Sequence, residues 1–169
     1  MKVVIAIDSF KGCMSSQELA ECIEEGIKVV CPDALIEACE VADGGEGTLQ
    51  AMVNNTNGNI LTCKVHDPLM REIEAQYGIL GDGKTAVIEM AAASGLPLVA
   101  ADQRDPRLAT TFGTGELIRA ALDAGLRKII IGIGGSATND GGVGMARALG
   151  VRFVGDNAQE LREGGAALA

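Results

Sequence analysis

Aromatic side chains are nearly missing from this 169-residue sequence. Phe10, Phe112, Phe153 and Tyr77 are the full set, and there is no tryptophan. Yet 47% of the residues are hydrophobic, so the core has to be built from Val, Ile, Leu, Ala and Met. Aliphatic strands of this kind are usual in α/β proteins whose sheets are covered on both faces. Positive charge is also scarce. Fourteen Lys and Arg face 23 Asp and Glu, for a net charge of −9. A nucleic-acid surface needs clustered cations, so that class is excluded. A single phosphate is not excluded, because a few glycine N–H groups and one cation can hold it.

Other absences narrow the field further. The five cysteines (Cys13, Cys22, Cys31, Cys39, Cys63) contain no C-x-x-C pair. Their odd count and loose spacing fit reduced thiols rather than disulfides or a zinc site. No apolar run approaches the ~18 residues of a membrane span. The opening "MKVVIAIDSF" has no cleavage-type segment and reads as a first strand. The expected location is therefore the cytoplasm, with no membrane partner. The P-loop pattern G-x-x-x-x-G-K-[ST] and the kinase patterns HRD and DFG are missing. His66 is the lone histidine and falls in a predicted turn, so it reads as solvated, and no Ser-His-Asp arrangement can be argued.

What is present alternates between strands and helices. Val3 to Ile7 is an apolar strand. Ser15 and Glu18 have capping-box spacing, and Leu19, Cys22, Ile23, Ile27 and Val30 follow with helical periodicity up to Pro32. Leu35 to Val41 is a weaker strand, and a short helix lies near Leu49 to Val53. Asn59–Val65 and Glu72–Leu80 alternate with period two around "HDPLMR", which predicts an antiparallel hairpin. Thr85 to Ala91 and Ile129 to Ile133 are further strands. Gly113 to Ala124 is helical, with Thr114 as expected N-cap and Gly125 as the stop. Gly142 to Leu149 is a helix, and Val151 to Gly155 is a last strand. The order is βαβα, a hairpin, then βαβαβ. That is an α/β fold with an antiparallel insertion. The ending "QELREGGAALA" supplies no closing element, so the chain reads as a fragment.

Ligands of open α/β folds bind outside the carboxyl ends of the strands. Five polar, glycine-rich loops fall there. "DSFKG" carries Asp8 and Lys11, a potential base or Mg²⁺ ligand beside a potential anion partner; alone, it reads first as an ordinary strand-to-helix turn with a solvated Asp and Lys. "DGGEGT" carries Asp43, Gly44, Gly45 and Glu46, where paired glycines can turn N–H groups toward an anion and the acids offer hard oxygen ligands. "EMAAASG" puts Glu89 near the end of an apolar strand, where a charge needs a partner or faces a site; its Ser94 could lead a helix N-terminus to an anion. "TTFGTGE" offers hydroxyls before a helix and reads as capping. "IIIGIGGSATNDGG" satisfies G-x-G-x-x-A through Gly132, Gly134 and Ala137, with Asp156 standing 19 residues beyond Ala137. That is a weak dinucleotide signal. Gly135, Ser136, Thr138, Asn139 and Asp140 give this loop more polar groups than a pyrophosphate turn needs.

Five segments together, "VVIAIDSFKG", "VADGGEGT", "YGILGDGKTAVIEMAAASGLPLV", "RDPRLATTFGTGELI" and "IIIGIGGSATNDGGVGMARALGVRF", resemble in order the signature segments of the bacterial type I glycerate kinases. The likeness runs through nearly the whole chain. It departs at Ile7, where many relatives have proline, and at Cys13, where serine is commoner. The resemblance implies ATP- and Mg²⁺-dependent phosphorylation of D-glycerate to 2-phosphoglycerate. It also implies a two-domain α/β protein with an interdomain cleft and one discontinuous Rossmann-like domain. Members are more than twice this length. The chain is thus expected to hold residues 1–60 as the first segment of the Rossmann-like domain and 61–169 as the hairpin with an incomplete second α/β region.

The segments are expected to form the site. On residue chemistry, Asp8 would orient or deprotonate the substrate hydroxyl, and Lys11 would meet the carboxylate or a phosphate. Asp43 or Asp140 would bind Mg²⁺. Gly44, Gly45, Gly134, Gly135 and Ser136 would donate to phosphate, with Glu46, Ser94 and Asn139 also in the nucleotide site. Two other readings stand beside this one: a non-catalytic ligand-binding remnant of such a kinase, and an NAD(P)-dependent oxidoreductase resting on the G-x-G-x-x-A turn.

Overall fold

The computed structural model describes residues 1–10, 13–156 and 158–168. β1 (Lys2–Ile7) and β2 (Leu35–Glu40) pair in parallel, from Lys2 against Leu35 to Ile7 against Glu40. The crossover is α1 (Ser16–Val30). Its start is the expected capping box: the Glu18 N–H donates to Ser15 Oγ at 3.2 Å, and the Ser15 N–H donates to Glu18 Oε2 at 2.8 Å. α1 buries Leu19 and Ala20 on its inner face. It ends where the Cys31 N–H reaches the Ile27 carbonyl at 2.7 Å, just before Pro32.

A second sheet of four strands carries most of the core. Its order is β3 (Asn59–His66), β4 (Glu72–Ile79), β5 (Thr85–Glu89) and β6 (Lys128–Gly132). The β3–β4 hairpin and the β4–β5 pair are antiparallel, while β5 and β6 run parallel. The hairpin turn is tied by Asp67, which accepts from the N–H groups of Leu69 (2.8 Å) and Arg71 (3.0 Å) and from Arg71 Nε (2.6 Å). Successive β5 residues point to opposite faces. Ala86 and Ile88 pack with Leu117 and Ala121 of α4 (Phe112–Asp123), whereas Val87 packs with Leu49 and Val53 of α2 (Thr48–Thr56). Helices thus cover both faces, which is why β5 is apolar without alternation. The short α3 (Ala91–Ser94) and α5 (Val143–Ala148) complete the α-helices among the described residues. Among the described residues, no helix is long and apolar enough to cross a membrane.

Two local expectations fail. α4 begins at Phe112, with Thr111 at the N-cap position, so Thr114 lies inside the helix and is buried. Val151–Gly155 is not a strand. Its alternation has no neighbouring strand to pair with, and only Val154 makes an isolated bridge, to Glu160.

Gly26 occupies the exposed interior of α1, and a Cβ there would meet nothing within 4 Å. Gly26→Ala should therefore raise stability by about 0.5–1 kcal/mol, because the unfolded chain loses freedom at no steric cost. Urea denaturation of the two proteins measures it, and an unchanged or lowered midpoint contradicts it.

Candidate active site

Parallel pairing sets the place of the site. Ile7 lies opposite Glu40, and Glu89 lies opposite Gly132. The loops that follow these residues therefore leave each sheet at its carboxyl edge. Two of them touch across the sheets: the Gly134 N–H donates to the Gly44 carbonyl at 3.0 Å. The approach depends on missing side chains. A Cβ on Gly132 would stand 2.6 Å from Gly44 O, and one on Gly134 would stand 2.7 Å from Gly45 Cα. Beside this junction, at the carboxyl ends of β1 and β2, lies a cleft of about 380 Å³ lined by Ser9, Cys13, Ser15, Glu40, Glu46 and Gly47.

Most of the glycines read as phosphate donors have spent their N–H groups. Gly44 donates to Thr48 Oγ1 (3.1 Å), Gly45 to Asp43 Oδ1 (2.9 Å) and Gly134 to Gly44. Their role in this geometry is close contact between loops. Gly135 differs: its φ is +75°, and its N–H makes no hydrogen bond among the described residues. Ser136 is exposed, and its hydroxyl lies 2.9 Å from Thr138 Oγ1. Asp43, Glu46 and Asn139 are exposed, and Glu46 faces the cleft. Asp8 is half-buried and accepts from the Ser9 N–H at 2.7 Å. Lys11 lies outside the described residues.

Two expectations are corrected by burial. Ser94 has no exposed surface, and its Oγ is 2.7 Å from Thr114 Oγ1, so this hydroxyl pair ties α3 to α4 rather than facing a ligand. Asp140 is 2% exposed. It accepts from the N–H groups of Thr111 (2.9 Å), Gly142 (3.1 Å) and Gly144 (3.0 Å) and from Thr111 Oγ1 (2.9 Å). Its charge is spent joining the starts of α4 and α5, and a metal would have to displace those donors. The dinucleotide turn also fails. α5 starts at Val143, so Ala137 lies outside any helix, and the Ala137 N–H donates to the Ser94 carbonyl.

The partner of Glu89 is a helix terminus. Its Oε1 accepts from the Leu49 N–H at 2.7 Å, and the backbone N–H groups of Gly47 and Thr48 also favour its charged form. The carboxylate thus fills the N-terminus of α2, where free N–H groups and the helix dipole favour negative charge. Burial outweighs those bonds and holds the Glu89 carboxyl above its ordinary value of 4.5; the charge of nearby Glu46 pushes the same way. The sequence left Glu89 with either a partner or a site to face, and the partner stands 40 residues upstream.

One ordered pair was missed. His66 Nδ1 lies 3.0 Å from Glu116 Oε2, the same oxygen accepts the His66 N–H at 2.7 Å, and the ring meets Phe112 edge-on. No local spacing links residues 66 and 116. Among the described residues, no group of three or more His, Cys, Asp or Glu side chains is placed to hold a metal. Asp43 and Glu46 are exposed carboxylates three residues apart in one loop, and Mg²⁺ sites that keep waters and share substrate phosphates use only one or two carboxylates.

Glycine-rich loops gathered at the carboxyl edge of a partly parallel sheet define, by class, a small-ligand α/β protein. Comparison makes the class specific. The chain belongs to the glycerate kinase family, whose model matches residues 3–169. It is 57% identical over its whole length to a Bacillus subtilis glycerate kinase, of which it covers 44%. It is 54% identical over 99% of its length to an Escherichia coli glycerate 2-kinase, again covering 44%. A crystal structure from Salmonella typhimurium LT2, provisionally assigned as glycerate kinase 2, superposes with a TM-score of 0.89 at 53% identity, over 99% of this chain and 45% of that one. The chain therefore spans under half the length of the relatives it matches.

Two outcomes follow from these contacts. A carboxyl raised in the folded state favours folding below its unfolded value and loses that benefit as pH climbs through the folded one. Compared with Glu89→Gln, the native protein should lose stability as pH rises above 4.5. Urea midpoints of both proteins across pH 4–8 (roughly the span over which a raised carboxyl titrates) measure the divergence, and parallel curves contradict it. Separately, Gly134→Ala should cost about 1–3 kcal/mol, because the new methyl meets backbone that cannot rotate away. An unchanged urea midpoint would falsify the view that this contact is tight.

Proposed function

We propose that the chain forms part of an enzyme that phosphorylates D-glycerate from ATP, giving 2-phosphoglycerate. The observation that carries this reading is the loop junction, Gly134 N–H on Gly44 O, within a chain 54–57% identical to proteins named as glycerate kinases. The junction sets two exposed acids beside a glycine-serine turn, which are the parts that phosphoryl transfer needs.

Transfer of a γ-phosphoryl group is mainly positioning and charge neutralisation. In this reading Asp43 and Glu46 hold Mg²⁺, which would offset charge on the phosphates when bound. The Gly135 N–H and the Ser136 hydroxyl donate to phosphate oxygens. Asp8 orients or deprotonates the acceptor hydroxyl from the neighbouring strand end, and Lys11 is the expected cation of the same segment. Gly44, Gly45 and Gly134 shape the junction, and Asp140 and Ser94 hold the elements behind it. A cytoplasmic metabolic setting accords with this chemistry.

The test is ADP release on D-glycerate by this chain and by a version extended to the length of its relatives. Turnover is expected in the extended version. Asp43→Asn in that version should lower turnover at least about 100-fold, as for a lost charge-positioning group. Release on another hydroxy acid but not on glycerate rejects the substrate. No release on any acceptor rejects the kinase.

A further inference from the structure

A second cleft, of about 260 Å³, lies between the 96–109 segment and the turn that follows the glycine pair. Its lining includes Val99 and Ala109, each 2% exposed, together with Leu96, Arg104, Ser136 and Thr138. The floor is apolar and the rim is polar, the usual form of a small-molecule pocket.

Arg104 is the cation of this cleft, and it is held but not neutralised. Its Nε donates to the Val99 carbonyl at 3.1 Å, which fixes the start of the guanidinium. Its two terminal nitrogens have no hydrogen bond or ion pair among the described residues. The adjacent acid does not serve it, because Asp105 is taken by Arg107 at 2.7 Å. That pairing holds the Asp105 carboxyl down to about 2. An anchored guanidinium with its outer fork open matches a carboxylate, which accepts two parallel N–H bonds.

The cleft also stands next to the proposed transfer site. The loop after β6 is pinned on both flanks. On one side Gly134 donates to Gly44, and on the other the Leu96 N–H donates to the Gly135 carbonyl at 2.9 Å. Ser136 is two residues from Gly134, so the lip of this cleft lies within about 7 Å of the acidic loop junction. A small acid seated against Arg104 would share the cleft with Ser136, which lines it.

We propose that this cleft is the carboxylate subsite for the small hydroxy acid, with Arg104 as the residue that selects the acid over a neutral polyol. This rests on the kinase reading above and moves the carboxylate from Lys11 to Arg104, leaving Lys11 to the phosphates.

The experiment is an NMR titration of the ¹⁵N-labelled 169-residue chain with D-glycerate and, separately, with glycerol, which lacks the carboxylate. Glycerate should shift the amides of Arg104, Ser136 and Thr138, and glycerol should leave them unmoved. Arg104→Met should weaken glycerate binding at least tenfold. Arg104→Lys should recover only part of it, since an ammonium lacks the planar fork. Unchanged urea midpoints in both variants would show that the fold is intact. Equal glycerate affinity in Arg104→Met, shifts confined to the Ser9–Gly47 cleft, or no shifts with the native chain each overturn the subsite. ADP release by the extended version is scored independently, so the kinase reading can stand when the subsite falls.

Discussion

The organisation of this molecule turns on one backbone contact, the Gly134 N–H on the Gly44 carbonyl. It joins a loop of the two-stranded sheet to a loop of the four-stranded sheet. The loops around it approach so closely that the distances to Gly44 O and Gly45 Cα leave no room for a Cβ on Gly132 or Gly134. The contact also consumes donors. Glycine loops at strand ends commonly turn their N–H groups toward a phosphate. Here Gly44, Gly45 and Gly134 turn theirs inward, and Gly135 is left to face outward. The same residues that look like a cradle for an anion act largely as a hinge plate between loops.

A second constraint follows from where the carboxylates went. The N-terminus of α2 is filled by Glu89 and that of α5 by Asp140. Helix N-termini are ready anion sites, but these two are already neutralised by the protein's own acids. Any bound anion must then find its donors elsewhere: in the open N–H of Gly135, in the hydroxyls of the 136–138 turn, and in side-chain cations. Arg104, exposed but anchored through its Nε on the Val99 carbonyl, is such a cation beside that turn. Filling the two termini costs the fold an uncomfortable charge at Glu89, whose carboxyl burial pushes up.

How far the sequence could be read depended on the range of the interaction. Ser15 and Glu18 are three residues apart, and their reciprocal cap was legible because both partners fall in one window. The hairpin was legible for the same reason, since period-two alternation on both sides of "HDPLMR" leaves one register. Thr114 looked like a cap because hydroxyls before apolar runs usually are, but Ser94, 20 residues upstream, had claimed it. Asp140 and Ser94 sat in polar stretches that resemble ligand loops, and only burial separated interior polar groups from exposed ones. Val151–Gly155 alternates correctly yet has no partner strand, and pairing is a property of two segments. The glycine runs were found correctly as special, but spacing cannot tell a glycine that donates from one that only makes room. The family likeness supports those segments as site-forming, and it does not fix individual roles.

The two sheets do not contribute equally to holding these loops. Val87, Ile88 and Leu117 of the four-stranded half have no exposed surface, whereas Val4 on β1 is 59% exposed and Leu35 on β2 is 72% exposed. At roughly 25 cal/mol per Å² of apolar area removed from water, the first sheet gains far less from burial than the second. The loop bearing Asp43 and Glu46 leaves the weaker sheet, yet it is pinned from the stronger one. Gly134 bonds its carbonyl, and Glu89 at the end of β5 bonds the first N–H groups of the helix it leads into. The acidic loop therefore inherits its position from β5 and β6, not from β2. Asp8 has no such tie among the described residues beyond its neighbour Ser9. Of the three acids proposed for chemistry, Asp43 and Glu46 sit on a loop tied to the packed core, and Asp8 takes its place from the strand pair alone.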